Sequence, residues 1–284
     1  MESLGPIVDV SWLSARLGEP DLVVVDCRGR LGEPGAGERL YRDGHVPGAA
    51  FLDVERDLSG DPGDTAARGR HPLPAARDFE RAARRAGIGA GTTVVAYDEA
   101  GEGGAARLWW LLRHFGHDRT AILDGGMSAW RACGGPLETG HATASPGDFR
   151  ARPRENDTAP LDEVRERALA GDPDLVLVDA RAPERFRGEV EPVDPVAGHI
   201  PGAANLPFAD LLEGGRFRSR DELQERLSAA GVDPGADVVA YCGSGVTASV
   251  LIAAAEAAGV DGTRLYAGSW SEWCRQGLPP AGDT

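Results

Sequence analysis

The 284-residue chain contains no lysine; all 30 of its basic residues are arginine. Schiff-base catalysis and a P-loop lysine are thereby excluded. Any anionic ligand must be held by arginine, histidine or backbone N–H groups. Mutational bias in a GC-rich genome explains the absence, but its chemical consequence stands regardless. Cysteine is scarce too: Cys27, Cys133, Cys242 and Cys274 show no CxxC spacing and no dense disulfide pattern. Free thiols in a reducing cytoplasm are expected. No apolar run approaches membrane-spanning length. The start, Met1-Glu2-Ser3-Leu4-Gly5-Pro6, carries no basic segment followed by an apolar one, so no secretory signal is expected. A formal net charge of −15 argues against a nucleic-acid backbone or an anionic membrane as main partner. His114 and His117 read as helix-end cations rather than a metal pair, and neither metal nor cofactor is expected.

What the chain does have is a repeat. Leu22-Val23-Val24-Val25-Asp26-Cys27-Arg28 matches Leu175-Val176-Leu177-Val178-Asp179-Ala180-Arg181, and Gly44-His45-Val46-Pro47-Gly48-Ala49-Ala50 matches Gly198-His199-Ile200-Pro201-Gly202-Ala203-Ala204. Val94-Val95-Ala96-Tyr97-Asp98 matches Val238-Val239-Ala240-Tyr241-Cys242, and Gly126-Met127-Ser128-Ala129-Trp130 answers Gly268-Ser269-Trp270-Ser271-Glu272-Trp273. The landmarks keep their order, which predicts a duplicated domain rather than a short-period solenoid. Each half alternates short apolar strands with helices, an α/β pattern implying a parallel sheet covered by helices on both faces. The expected division is residues 1–140, a Pro- and Gly-rich linker over 141–157, and residues 158–284.

The segment with most chemistry in it runs from Asp237 to Ala248. An apolar strand ends at Cys242, then Gly243, Ser244, Gly245, Val246 and Thr247 turn the chain into a helix. That order places a thiol at the carboxyl end of a parallel strand, where ligands of such sheets gather. The N–H groups at a helix start favour negative charge, whether thiolate, persulfide or an anionic substrate. The first half carries Asp98 at the matching position, inside Asp98-Glu99-Ala100-Gly101-Glu102-Gly103-Gly104, and is expected to be catalytically silent. His45 and His199 sit at equivalent repeat positions and read as braces of the Pro-Gly turns.

Together these motifs resemble the tandem-domain rhodanese sulfurtransferases, and within them the 3-mercaptopyruvate sulfurtransferases. The likeness covers nearly the whole chain: both Gly-His-(Val/Ile)-Pro-Gly-Ala turns, the Asp26 and Asp179 strand ends, the Cys242 loop, and Tyr266-Ala267-Gly268-Ser269-Trp270-Ser271-Glu272-Trp273. It implies two tandem rhodanese-like domains and a double displacement. Cys242 takes a sulfane sulfur from a small anionic donor as a persulfide, then yields it to cyanide or a thiol such as a reduced dithiol carrier. The resemblance puts the donor's acidic group on Arg185, with Gly243, Gly245, Val246 and Thr247 as the loop around it. It also implies a relay of Ser244, His71 and an acid, Asp53, with Glu55 nearly as good. The chain departs from the family after Glu191-Pro192, where Val193-Asp194 stands in place of a second arginine.

Gly243 and Ser244 replace the basic residues of the thiosulfate-using type, so mercaptopyruvate is the expected donor and thiosulfate the alternative. A cysteine phosphatase shares the strand–Cys–loop–helix design but needs Cys-x5-Arg to clamp phosphoryl oxygens. Here that position is Ala248. A persulfide-carrier module without a free donor would share the same loop and is the rival of a different class.

Overall fold

A computed structural model describes residues 4–30, 32–61, 69–142 and 144–282; the reading of Met1-Glu2-Ser3 at the start lies outside them. The chain forms two compact units. One comprises 1–60, 74–154 and 214–217, and the other 61–73, 155–213 and 218–284. Residues 69–73, from the first half of the sequence, therefore belong to the second unit.

The first unit holds β1 (Ile7–Val8), α1 (Val10–Arg16), β2 (Leu22–Asp26), α2 (Ala36–Asp43), β3 (Ala50–Phe51) and α3 (Ala76–Arg85), followed by β4 (Thr93–Tyr97), α4 (Gly104–His114), β5 (Thr120–Leu123) and α5 (Gly126–Ala132). Its sheet has the order β1-β5-β4-β2-β3, and every pairing is parallel. Val94, Val95, Ala96 and Tyr97 are all fully buried. Successive strand residues point to opposite faces, so both faces of this sheet are covered.

The second unit repeats the plan with α6 (Leu161–Ala170), β6 (Leu175–Asp179), α7 (Pro183–Phe186), β7 (Ala204–Asn205), α8 (Arg220–Ala229), β8 (Asp237–Tyr241), α9 (Ala248–Ala258), β9 (Arg264–Leu265) and α10 (Ser269–Arg275). The sheet order is β9-β8-β6-β7. The counterpart of β1 is reduced to a single parallel bridge, Thr158 to Leu265. Its apolar core joins Leu177, Val239 and Tyr241 to Trp270 and Trp273 of α10 and Val164 of α6. Most of α9 is buried, including Ala248, Ala253, Ala254 and Ala255; these small side chains let the helix lie close against the sheet, with its N-terminus aimed at the end of β8.

The register confirms the duplication residue by residue. Asp26 pairs with Tyr97 and Asp179 with Tyr241. Each aspartate binds an arginine two residues on, Arg28 and Arg181, and each arginine also donates to a glycine carbonyl, of Gly44 and Gly198, at 2.7 Å. Tyr97 and Tyr241 then place Asp98 and Cys242 at one structural position. His45 and His199 lie stacked on Tyr41 and Phe186, each ring bonded through Nδ1 to a backbone carbonyl.

Candidate functional site

Cys242 follows the last residue of β8 and is 2% exposed. Its Sγ accepts the N–H of Gly245, in the turn into α9, at 3.1 Å. Gly245 has φ +79°, and a Cβ there would lie 2.5 Å from the carbonyl oxygen of Ala267, so only glycine carries the loop through this point. Val246 and Thr247 are half-buried, and their carbonyls accept from Ser249 and Val250 to open the helix. The loop is clamped from the other side by α10: Trp270 N–H donates to the Cys242 carbonyl and Ser271 N–H to that of Gly243.

One residue of this clamp was hidden in the sequence. Ser269 Oγ accepts the Cys242 N–H at 3.1 Å and donates to the Tyr266 carbonyl at 2.9 Å. Ser269 is the only non-glycine with positive φ among the described residues, at +55°. Its structural counterpart is Gly126, φ +53°, because both stand four residues before a tryptophan whose Nε1 donates to a proline carbonyl. The sequence match set Gly126 against Gly268, one residue off, and so concealed a serine held where its counterpart is glycine.

The second unit also brings His71 to the loop. Its Nδ1 lies 2.6 Å from Ser244 Oγ, and both residues are nearly buried. Asp53 belongs to the first unit, where its Oδ1 accepts the N–H groups of Glu55 and Arg56.

Two arginines, Arg70 and Arg185, stand beside the loop, and a third, Arg181, is joined to Arg185 through Glu191. Arg185 grips Glu191 through Nε at 3.2 Å and Nη2 at 2.6 Å, and its Nη2 lies 3.6 Å from Asp194 Oδ2. Arg181 Nη1 reaches Glu191 Oε2 at 3.3 Å. Arg70, which the sequence reading passed over, is ion-paired with Asp194. A Cβ on Gly243 would lie 3.0 Å from Arg70 Nη2 and 3.5 and 3.6 Å from the two terminal nitrogens of Arg185. Burial raises Glu191, but the Arg185 hydrogen bond, the N–H groups of Asp194 and Val193 and the Arg185 charge outweigh it and hold its carboxyl below the usual range. Burial pushes the thiols of Cys27 and Cys274 up, which disfavours their reactive thiolate form.

Asp98 shows what an anion at the Cys242 position meets. Its Oδ1 accepts from Gly101, and its Oδ2 from Gly103 and Ala105. Gly101 stands three residues beyond Asp98, as Gly245 stands beyond Cys242, and α4 and α9 begin six residues beyond each. The same loop scaffold thus presents amides to a carboxylate in one unit and to a sulfur in the other. Among the described residues, no cluster of metal-ligating side chains and no helix long and apolar enough to cross a membrane is present.

Comparison with known proteins gives the same assignment twice over. The rhodanese-like domain matches residues 9–133 and again 161–276. The chain is 46% identical to a probable 3-mercaptopyruvate sulfurtransferase of Pseudomonas aeruginosa, over 95% of each chain. It is 44% identical to a putative thiosulfate sulfurtransferase, SseB, of Mycobacterium tuberculosis, over 93% of this chain and 92% of that one. The crystal structure of SseA, a 3-mercaptopyruvate sulfurtransferase of Escherichia coli, superimposes with a TM-score of 0.81 at 32% identity, covering 94% of this chain and 99% of that one. The chain belongs to the rhodanese family, as a tandem-domain sulfurtransferase.

Proposed function

We propose that this sulfurtransferase moves the thiol sulfur of 3-mercaptopyruvate to a thiol or cyanide, carrying it as the outer sulfur of a persulfide on Cys242. The carrying observation is the Cys242 loop itself, with Gly245 N–H on Sγ and the paired Ser244 and His71 beside it. Cys242 thiolate attacks the donor sulfur, forming an S–S bond as the carbon–sulfur bond breaks and its electron pair passes to the donor carbon. The enolate of pyruvate leaves, and the proton of the transferred S–H moves to that carbon, with Ser244 and His71 placed to pass it on. An acceptor thiol or cyanide then attacks the outer sulfur and Cys242 departs as thiolate.

Asp98 supports the way the persulfide is held. Its two oxygens carry a charge spread over two atoms, as a persulfide does, and its further amide partner Gly103 corresponds to Thr247, whereas the Ser249 N–H, opposite Ala105, donates to the Val246 carbonyl. Oriented N–H groups that meet charge as it develops need no reorganisation. Arg185 meets the donor carboxylate with its terminal nitrogens, which face Gly243, while its Nε and Nη2 edge stays on Glu191. Around that grip, Arg70, Arg181 and Arg185 face Asp179, Glu191 and Asp194, so the formal charges cancel. A balanced site suits a carboxylate monoanion better than the thiosulfate dianion.

Mass spectrometry of protein exposed to each donor alone tests the reading. Mercaptopyruvate should add one sulfur atom to Cys242, and Cys242→Ser should take up none while remaining folded. Sulfur on another cysteine, or transfer by Cys242→Ser, would refute it. Turnover with free mercaptopyruvate and a small thiol separates an enzyme from a persulfide carrier, which would not turn over.

A further inference from the structure

We propose that Arg70 is a second donor-binding arm of the Cys242 site, held over Gly243 by Asp194. The inference rests on the reading that Cys242 takes sulfur from an anionic donor. Glu191-Pro192 is followed directly by Val193-Asp194 rather than by an arginine, yet two guanidiniums converge on the residue beside the thiol. Arg70 Nη2 and the terminal nitrogens of Arg185 come within 3.0 to 3.6 Å of the position a Cβ on Gly243 would take. The second cation arrives from a segment 124 residues earlier than its partner Asp194.

Three contacts fix how Arg70 presents itself. Its backbone N–H donates to Ser271 Oγ at 3.0 Å, which ties it to the helix clamping the loop. Gly69 before it has φ +85°, and a Cβ there would lie 2.5 Å from the Gly268 carbonyl oxygen, so the two segments are pressed together. The Nη1 end is ion-paired with Asp194, whose side chain is wholly buried. A guanidinium anchored at one end by a buried carboxylate directs its other end, Nη2, towards Gly243. Arginine has five N–H donors in a rigid fork, enough to serve Asp194 and a donor oxygen together. Arg70 Nε and Asp194 Oδ2 are buried without a hydrogen-bond partner among the described residues, although Arg185 Nη2 stands 3.6 Å from the latter. Asp194 therefore does two things: it orients Arg70, and it offsets one positive charge that would favour a dianion.

The test is steady-state kinetics of the full chain with mercaptopyruvate and with thiosulfate, for the wild type, Arg70→Ala, Arg70→Gln and Asp194→Asn. Loss of a charge-assisted contact to the donor should raise KM for mercaptopyruvate ~10-fold or more in both Arg70 variants, with kcat within ~3-fold. Glutamine can still hydrogen-bond to Asp194, so it separates loss of charge from loss of packing. A KM within ~2-fold of wild type in Arg70→Gln would overturn the assignment. Asp194→Asn leaves one guanidinium charge unbalanced and should raise the ratio of kcat/KM for thiosulfate over mercaptopyruvate ~3-fold or more. An unchanged or lower ratio removes Asp194 from the proposal. Mass spectrometry of Cys242 runs alongside. A wild type that gains no sulfur there overturns the parent reading and this one with it. A wild type that does gain it, beside an indifferent Arg70→Gln, overturns this one alone.

Discussion

Ser269 occupies a backbone conformation that its counterpart Gly126 reaches freely, φ +55° against +53°. For a residue with a Cβ that conformation costs about 1–2 kcal/mol, and strain of this kind persists where surrounding structure holds it for a purpose. Here the return is a hydroxyl on the Cys242 N–H, which fixes the backbone from which the thiol projects. Ser269→Ala and Ser269→Gly both delete that hydroxyl, but only glycine relieves the strain. Both should lose activity, by about 10-fold in kcat/KM if the bond contributes about 1.4 kcal/mol to the reactive geometry. Thermal melting should rank the glycine variant above the alanine variant; the reverse order would mean that the site is unstrained. Asp53 poses a separate question, because its carboxylate already caps a turn. If it completes the Ser244–His71 relay, Asp53→Asn lowers kcat alongside His71→Ala. If it only caps the turn, the melting temperature falls and kcat holds.

At the scale of elements, strand, loop and helix form one device used twice. Burial raises the Asp98 carboxyl above the ordinary range, and the N–H groups of Gly101, Ala105 and Gly103 only partly offset it. Glu191, among its arginines, lies below that range. The two therefore act oppositely on stability. The depressed Glu191 contributes stability above its unfolded pKa that is lost as pH falls through its folded value, whereas raised Asp98 gains stability as it takes up a proton. Carbon-13 NMR titration of side-chain carboxyls should find Asp98 displaced above the ordinary aspartate value and Glu191 below the ordinary glutamate value, and a shift of either in the other direction would contradict this account of the loop. Much of the device was legible in the sequence, since an apolar strand ending in Cys242-Gly243-Ser244-Gly245 leaves few alternatives to a thiol at a helix start. Arg70 and Ser269 were not legible. Each reaches the loop from a distant segment through a single contact, and no local periodicity or spacing encodes such a meeting.

At the scale of the whole molecule, the duplication gives the chain an internal control. Arg28 and Arg181 are equivalent, each buried, each bound to the aspartate two residues before it and to a glycine carbonyl. Removing one partner of such a pair leaves a buried charge uncompensated and costs about 3–5 kcal/mol. Arg28→Ala leaves Asp26 with the Tyr97 hydroxyl at 2.8 Å and the residue-28 backbone N–H at 2.9 Å, which cannot replace a guanidinium. Its urea midpoint should fall by that amount divided by the m-value, while the folded protein keeps its KM for the sulfur donor. Arg181→Ala should cost a similar amount of stability and also raise that KM, because Arg181 Nη1 steadies Glu191, the carboxylate that orients Arg185. Urea melts and donor kinetics on the two variants separate what the repeat needs to fold from what one copy needs to act. An equal rise of KM in both, or in neither, would show that the Arg181–Glu191 contact belongs to the fold alone.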